Sequence, residues 1–248
     1  DIVFLRPLGL RLSATARKSV ERRYIMKGTI PSTKDLFDLS HTLAADLFRD
    51  LVCPWDVLDR LKEFIISLGS SLDPALFENR GNGVFIAKDA TIAPTACICG
   101  PCIIDSGAEV RHCAFIRGSA IVGKGAVVGN SCELKNCVLF DGVQVPHFNY
   151  VGDSVLGYKS HMGAGAVTSN VKSDKTPVVV KSGTEQCETG RKKLGAMLGD
   201  HVEVGCNSVL CPGSVIGRNS TVYPLSRVRG VIPENSIFKG PDNIVTKH

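Results

Sequence analysis

The chain has 248 residues, 44% of them hydrophobic but only 6% aromatic, with 25 glycines and ten cysteines. Its formal charge of +5 is mostly local: residues 1–25 carry Arg6, Arg11, Arg17, Lys18, Arg22 and Arg23 against Asp1 and Glu21. No apolar run approaches the roughly 18–20 residues that cross a bilayer, and the rest of the chain lacks the dense basic stripe of a nucleic-acid surface. Neither a membrane nor a nucleic acid is therefore an expected partner, and a cytoplasmic protein with reduced thiols is.

In chain order, residues 1–25 show no core periodicity and are expected to form an unstructured extension. Their Arg-rich, acid-poor composition fits an organellar leader as well as an upstream extension, and both readings stand. Residues 26–80 are expected to be helical. Ser32 and Asp35 give an S-x-x-D start signal, and Leu36, Leu39, Leu43, Leu47 and Leu51 follow at spacings of three and four. Beyond Pro54, a second helical stretch runs from Asp56 to Leu68 and stops at Gly69. These helices are expected to pack against one end of the domain that follows, residues 81–240.

That domain has a period of six. Ile86, Ile92, Ile98, Ile104, Val110, Ile116, Val122, Val128, Leu134 and Phe140 form one column of large apolar residues. Four positions after the first nine stand Ala90, Ala96, Cys102, Ala108, Ala114, Ala120, Ala126, Cys132 and Val138, all small or β-branched. Two columns in phase are the mark of an internal repeat. Each six-residue unit supplies a short strand and a corner, three units make a coil of 18 residues, and coils stack about 4.8 Å apart. The predicted fold is all-β: a left-handed parallel β-helix of hexapeptide repeats, with a short helical segment before it. The frame slips after Phe140, resumes at Val145 and Val151, and takes a five-residue step to Leu156. Residues 171–197 leave the repeat as a Lys- and Arg-rich loop, either a functional excursion or a plain insertion. The repeat returns from Leu198, and residues 241–248 are a tail.

Cys97, Cys99 and Cys102 form C-x-C-x-x-C, but no second cluster completes a zinc-type set, and Cys102 and Cys132 fall in the small column. No metal is expected. In an 18-residue coil Arg117 and Lys135, each following a large inward residue, stack on one outer corner. There they repel one another and either hold a phosphate or splay into solvent. His147, in V-P-H-F-N-Y, stands where the frame has slipped, and is either a general base or a surface histidine.

These motifs carry a resemblance. A-F-I-R-G at 114–118, V-G-N-S-C-E-L-K at 128–135, V-P-H-F-N-Y-V-G-D-S-V-L-G at 145–157, M-G-A-G-A-V-T-S-N at 162–170, T-G-R-K-K-L-G-A-M-L-G at 189–199 and P-E-N-S-I-F-K at 233–239 resemble the C-terminal acetyltransferase domain of the bifunctional enzymes that make UDP-N-acetylglucosamine, notably the archaeal-type sugar-1-phosphate nucleotidylyltransferase/acetyltransferases. The resemblance implies an N-acetyltransferase that uses acetyl-CoA, needs no metal, and acts on glucosamine-1-phosphate or galactosamine-1-phosphate. It implies His147 as catalytic base, and Arg117, Lys135, Tyr150, Asn170 and Lys175 as substrate-binding residues. It also implies Asn170, Gly205 and Cys206 as acetyl-CoA-binding residues, and a homotrimer. Departures are His161 in place of the bacterial Asn, Val171 after Asn170, and a missing second loop lysine. The family's nucleotidyltransferase domain does not fit in residues 26–80, so a separate nucleotidyltransferase is a possible partner. The alternatives are a non-catalytic β-helix that regulates such an enzyme, or an acetyltransferase for another acceptor.

Overall fold

A computed structural model describes residues 30–247. The reading of residues 1–25 as an extension lies outside the described residues. From Val84 onward the chain winds as a parallel β-helix with three faces. The first begins with strand Val84–Ala87, the second with Thr91–Ile92 and the third with Cys97–Ile98. Each strand pairs in parallel with its counterpart one coil later: Ile86 with Ile104, Ile92 with Val110, Ile98 with Ile116. The large column fills the interior, with Ile104, Val110, Ile116, Val122, Val128 and Leu134 fully buried. Cys102 and Cys132 are buried in the small column as expected, which explains both thiols by packing.

The column changes hands once. Leu139, not Phe140, pairs with Val122 below and Leu156 above, and Cys137 rather than Val138 continues the small column opposite Ala120. The step from Leu134 to Leu139 is five residues, like that from Val151 to Leu156, so the corners at Lys135–Asn136 and Gly152–Asp153 are each one residue short. Strands Glu133–Leu139 and Tyr150–Leu156 therefore run unbroken from the third face onto the first. Asn136 and Asp153, both at φ 49°, make the bend in the left-handed region that Asn and Asp tolerate better than most residues.

Phe140, displaced from the interior, is buried from outside by Phe37 and Phe48, at ring separations of 5.1 and 5.5 Å. This shows where the N-terminal segment sits. It lies along a side, not at an end. Helix Leu61–Ser71 and the 3-10 turn Pro54–Asp59 cover the first face, whose outward residues Phe85, Ile103, Ile121, Val138 and Val155 are apolar and buried. Gly69 lets the helix approach, because a Cβ there would collide with the Phe85 ring. The long helix expected over Leu36–Leu51 is broken into Thr33–Leu36, a 3-10 turn Leu39–His41, and Ala45–Phe48. Ser32 and Asp35 do form the capping box. However, Phe37 is extended, and the Asp38 and Thr42 side chains accept from the Ser40 and Ala44 amides, the local competition that ends helices. The buried carboxylate of Asp200 ties this segment down, accepting from Asp38 N–H at 2.8 Å and Tyr158 N–H at 2.9 Å.

The excursion after Asn170 forms a hairpin, Val179–Ser182 against Glu185–Glu188, and the coil resumes at Ala196–Leu198. Arg191 of its returning leg pairs with Asp59 at 2.6 Å. Leu194 N–H and Gly195 N–H then donate to the carbonyls of Asn170 and Asp153. At the far end, strand Asn243–Thr246 turns back antiparallel on Ser236–Gly240, covering an edge that would otherwise be open to pairing.

Coil spacing leaves no room at some corners. A Cβ on Gly129 would overlap the Pro146 carbonyl of the next coil. Gly129→Ala is expected to destabilise the fold by about 3 kcal/mol, the upper part of the usual range for forced overpacking. An unchanged urea midpoint would show that the coils do not stack in this register.

Candidate functional site

The register brings Arg117 and Lys135 together on the corner that leaves the third face, with Ile116 beside Leu134. They are not the bare, repelling cations that the spacing alone predicts. Arg117 Nη1 donates to Glu133 Oε1 at 2.6 Å, and that carboxylate holds the guanidinium more firmly in its charged form. Lys135 Nζ lies 3.3 and 3.4 Å from the two carboxylate oxygens of Asp153. Each cation thus has its own carboxylate, which offsets the repulsion.

Asp153 has a side chain only 4% exposed. Besides Lys135 it accepts from Asn136 Nδ2 at 2.8 Å and Asn170 Nδ2 at 2.6 Å. The Asn170 amide also donates to the Tyr150 hydroxyl at 3.1 Å. Burial pushes the Tyr150 phenol up, partly opposed by that hydrogen bond. Lys135, Tyr150 and Asn170 therefore join one network with Asn136 and Asp153, beside the Arg117–Glu133 pair; sequence reasoning singled out none of Glu133, Asn136 and Asp153. A signal existed: Asn136, Asp153 and Asn170 recur every 17 residues, the count that the short corner imposes.

His147 ends the second-face strand Gln144–His147, at the corner from which the chain enters the third face. The frame slip expected beside it is elsewhere, at the short corners, and His147 continues the parallel ladder opposite Asn130. Its turn is held by Asn149, which is buried. The Asn149 Oδ1 accepts from His147 N–H at 3.1 Å, and its Nδ2 donates to the Gly163 and Ala166 carbonyls at 2.9 and 3.0 Å. The Asn of H-F-N-Y is thus the clamp that fixes the histidine to the next coil. The imidazole is exposed and has no hydrogen-bond partner among the described residues.

Gly205 and Cys206 lie on this same corner, two coils farther on. Gly165 N–H donates to His147 O, and Asn207 N–H to Ala164 O. A Cβ on Gly205 would collide with the Pro224 backbone, and Cys206 is exposed. Lys175 is not gathered in. It occupies a turn of the expelled loop at φ 56°, and among the described residues its side chain makes no hydrogen bond or ion pair. His161 is paired with Glu203 at 2.7 Å on the second face. No three His, Cys, Asp or Glu side chains among the described residues lie close enough to hold a metal ion, and no described helix is long and apolar enough to cross a membrane.

Known proteins share this pattern. A family model described as the GMPPB C-terminal domain matches residues 98–210. The bifunctional protein GlmU of Methanococcus maripaludis is 34% identical over 205 residues, covering 81% of this chain and 49% of that protein. The bifunctional sugar-1-phosphate nucleotidylyltransferase/acetyltransferase of Sulfurisphaera tokodaii is 32% identical over 198 residues, covering 77% and 49%. The chain thus spans about half the length of the curated relatives it matches. Among solved structures, the acetyltransferase domain of PglB from Neisseria gonorrhoeae aligns at 22% identity over 53% of each chain, with a TM-score of 0.26. A GDP-perosamine N-acetyltransferase of Caulobacter crescentus aligns at 14% over 65% of this chain and 56% of that one, with a TM-score of 0.28. Both are too distant to inform the chemistry here. With its repeat and shared motifs, the chain is a hexapeptide-repeat acyltransferase similar to about half the length of the GlmU-type bifunctional proteins.

Proposed function

We propose that this chain transfers an acetyl group from acetyl-CoA to the amino nitrogen of an amino-sugar 1-phosphate, glucosamine-1-phosphate or galactosamine-1-phosphate, for UDP-N-acetyl-sugar synthesis. The observation that carries the reading is the division of one outer face. A cationic network with Lys135, Tyr150 and Asn170, beside Arg117, lies at one edge, and an exposed imidazole lies at the other. Lys135 pairs in register with Gly152, which follows His147 by five residues across the turn at Phe148.

In this reading Arg117 and Lys135 bind the phosphate, Tyr150 and Asn170 line the sugar, and the amine is held before the thioester. Nitrogen attacks the carbonyl carbon, the carbon–sulfur bond breaks, and His147 takes the proton from nitrogen and passes it to the departing thiolate. Acetyl-CoA lies along the His147 corner towards Gly205 and Cys206, with Asn170 also contacting it, and Lys175 closes over the substrate from the loop. No step calls for a metal.

Thiol release from acetyl-CoA, measured against a panel of amino sugars and their 1-phosphates, tests the reading. Phosphate-dependent release is expected. No release with any amino sugar would favour a non-catalytic partner of a separate nucleotidyltransferase. A homotrimer is expected as well. Phe148 and Leu225, 63% and 79% exposed on the His147 corner, and Phe115 and Val209 on the third face, are apolar groups that a second copy would cover. Light scattering should give about three times 26.5 kDa; a fully active monomer would refute it.

A further inference from the structure

We propose that Asp153 is the positioning residue of the acceptor site, one carboxylate that aims Lys135 and Asn170, and through Asn170 the Tyr150 hydroxyl, at the sugar phosphate. The proposal rests on the acetyl-transfer reading above. Its basis is the chemistry of the partners. Lys135 Nζ, Asn136 Nδ2 and Asn170 Nδ2 converge on Asp153 from the coils on either side of it, and all three are donors. Only a group that accepts at every lone pair can serve them together. A carboxylate does so, whereas an amide of the same size would turn its own N–H groups towards at least one donor.

The location makes the hold firm. The Asp153 side chain is nearly sealed from solvent while that of Lys135 is 29% exposed. A buried carboxylate deprived of its cation is strongly disfavoured, so Lys135 stays anchored at its inner side and presents its remaining N–H outward. A phosphate then meets an ammonium already in place, and little side-chain freedom is lost on binding. The returning leg of the loop adds a second restraint, because Gly195 N–H donates to the Asp153 carbonyl and Leu194 N–H to that of Asn170. Arg117 is the contrast. Its partner Glu133 is about one third exposed and can yield to a phosphate.

A residue that only knits coils together would, when altered, lower stability and leave the kinetic constants of the folded enzyme intact. A positioning residue does the reverse. Asp153→Asn keeps the side-chain volume and suits the same left-handed backbone. It is expected to raise KM for the amino-sugar 1-phosphate at least about tenfold, the effect of misplacing a charge-assisted hydrogen bond, with kcat at saturating acceptor within about threefold. Glu78→Gln, the same kind of change in an exposed pair with Arg80 on the edge strand ahead of the coils, should leave KM near wild type. Independently of activity, Lys135 should react faster with an amine-directed acylating reagent in Asp153→Asn than in wild type, as read by peptide mass mapping. If the wild type acetylates no amino sugar, the functional reading fails while the labelling result still reports on the hold. Should Asp153→Asn not fold, Asp153→Glu, which keeps the charge but displaces it, should fold and show the raised KM. Folded variants with unchanged KM and unchanged Lys135 labelling, or failure of both variants to fold, would overturn the proposal in favour of a purely structural role.

Discussion

His147→Ala is expected to lower kcat by about 10²–10⁴-fold, the usual contribution of a positioned general base, with a much smaller change in KM. The imidazole suits this measurement. It is exposed and free of side-chain partners, and the His147 turn is fixed by backbone contacts and by Asn149 rather than by the ring itself. Removing the ring should therefore leave the fold intact, with a thermal midpoint close to wild type. A folded His147→Ala enzyme with wild-type kcat would remove His147 from the reaction.

The second large effect concerns the stacked cations. Arg117→Gln and Lys135→Gln should each lower kcat/KM for the phosphorylated acceptor by about ten- to a hundredfold, as expected for lost charge-assisted hydrogen bonds. The double variant should lose less than the product of the two, since both act on one group. Any measurable acetylation of the unphosphorylated amino sugar should barely change. Stability should separate the two residues, contrary to what mutual repulsion would give. Neutralising either cation would relieve strain if they faced only each other. Because Lys135 is the ion-pair partner of the buried Asp153, Lys135→Gln should instead lower the thermal midpoint. Arg117→Gln, which opens an exposed pair with Glu133, should hardly move it. Equal kinetic losses on both acceptors would mean that the pair grips something else, such as the phosphates of acetyl-CoA.

What could be read from the sequence followed from how each feature is encoded. The β-helix is written in two columns of side chains that fill a repeating interior, so Ile86 through Leu134 could be placed by counting. The stacking of Arg117 on Lys135 followed from the same count. Their carboxylate partners did not. Glu133 looks like any outward strand residue, and Asp153 is brought under Lys135 only because two successive corners are each one residue short. Counting by sixes instead carried Phe140 into the interior and located the irregularity beside His147. The N-terminal helices were overextended because leucine spacing reports a buried side of the chain, whereas Asp38 and Thr42 decide locally where each turn stops. Phe37, Phe48 and Phe140 were legible as apolar, but not as one another's neighbours.

The shortened corner has a consequence for how such a chain can change over time. At most corners of a solenoid, an extra residue lengthens a surface bend and little else. One added between Asn136 and Cys137 would restore the ordinary six-residue step and leave the interior ladder from Val122 through Leu139 to Leu156 able to form. It would also pull Asn136 out of line with Asp153 and Asn170 and let Lys135 drift from its carboxylate. Insertion and deletion, silent for the scaffold, would there act directly on the polar network. The spacing of residues along this edge is then as much an inherited determinant of that network as their identity.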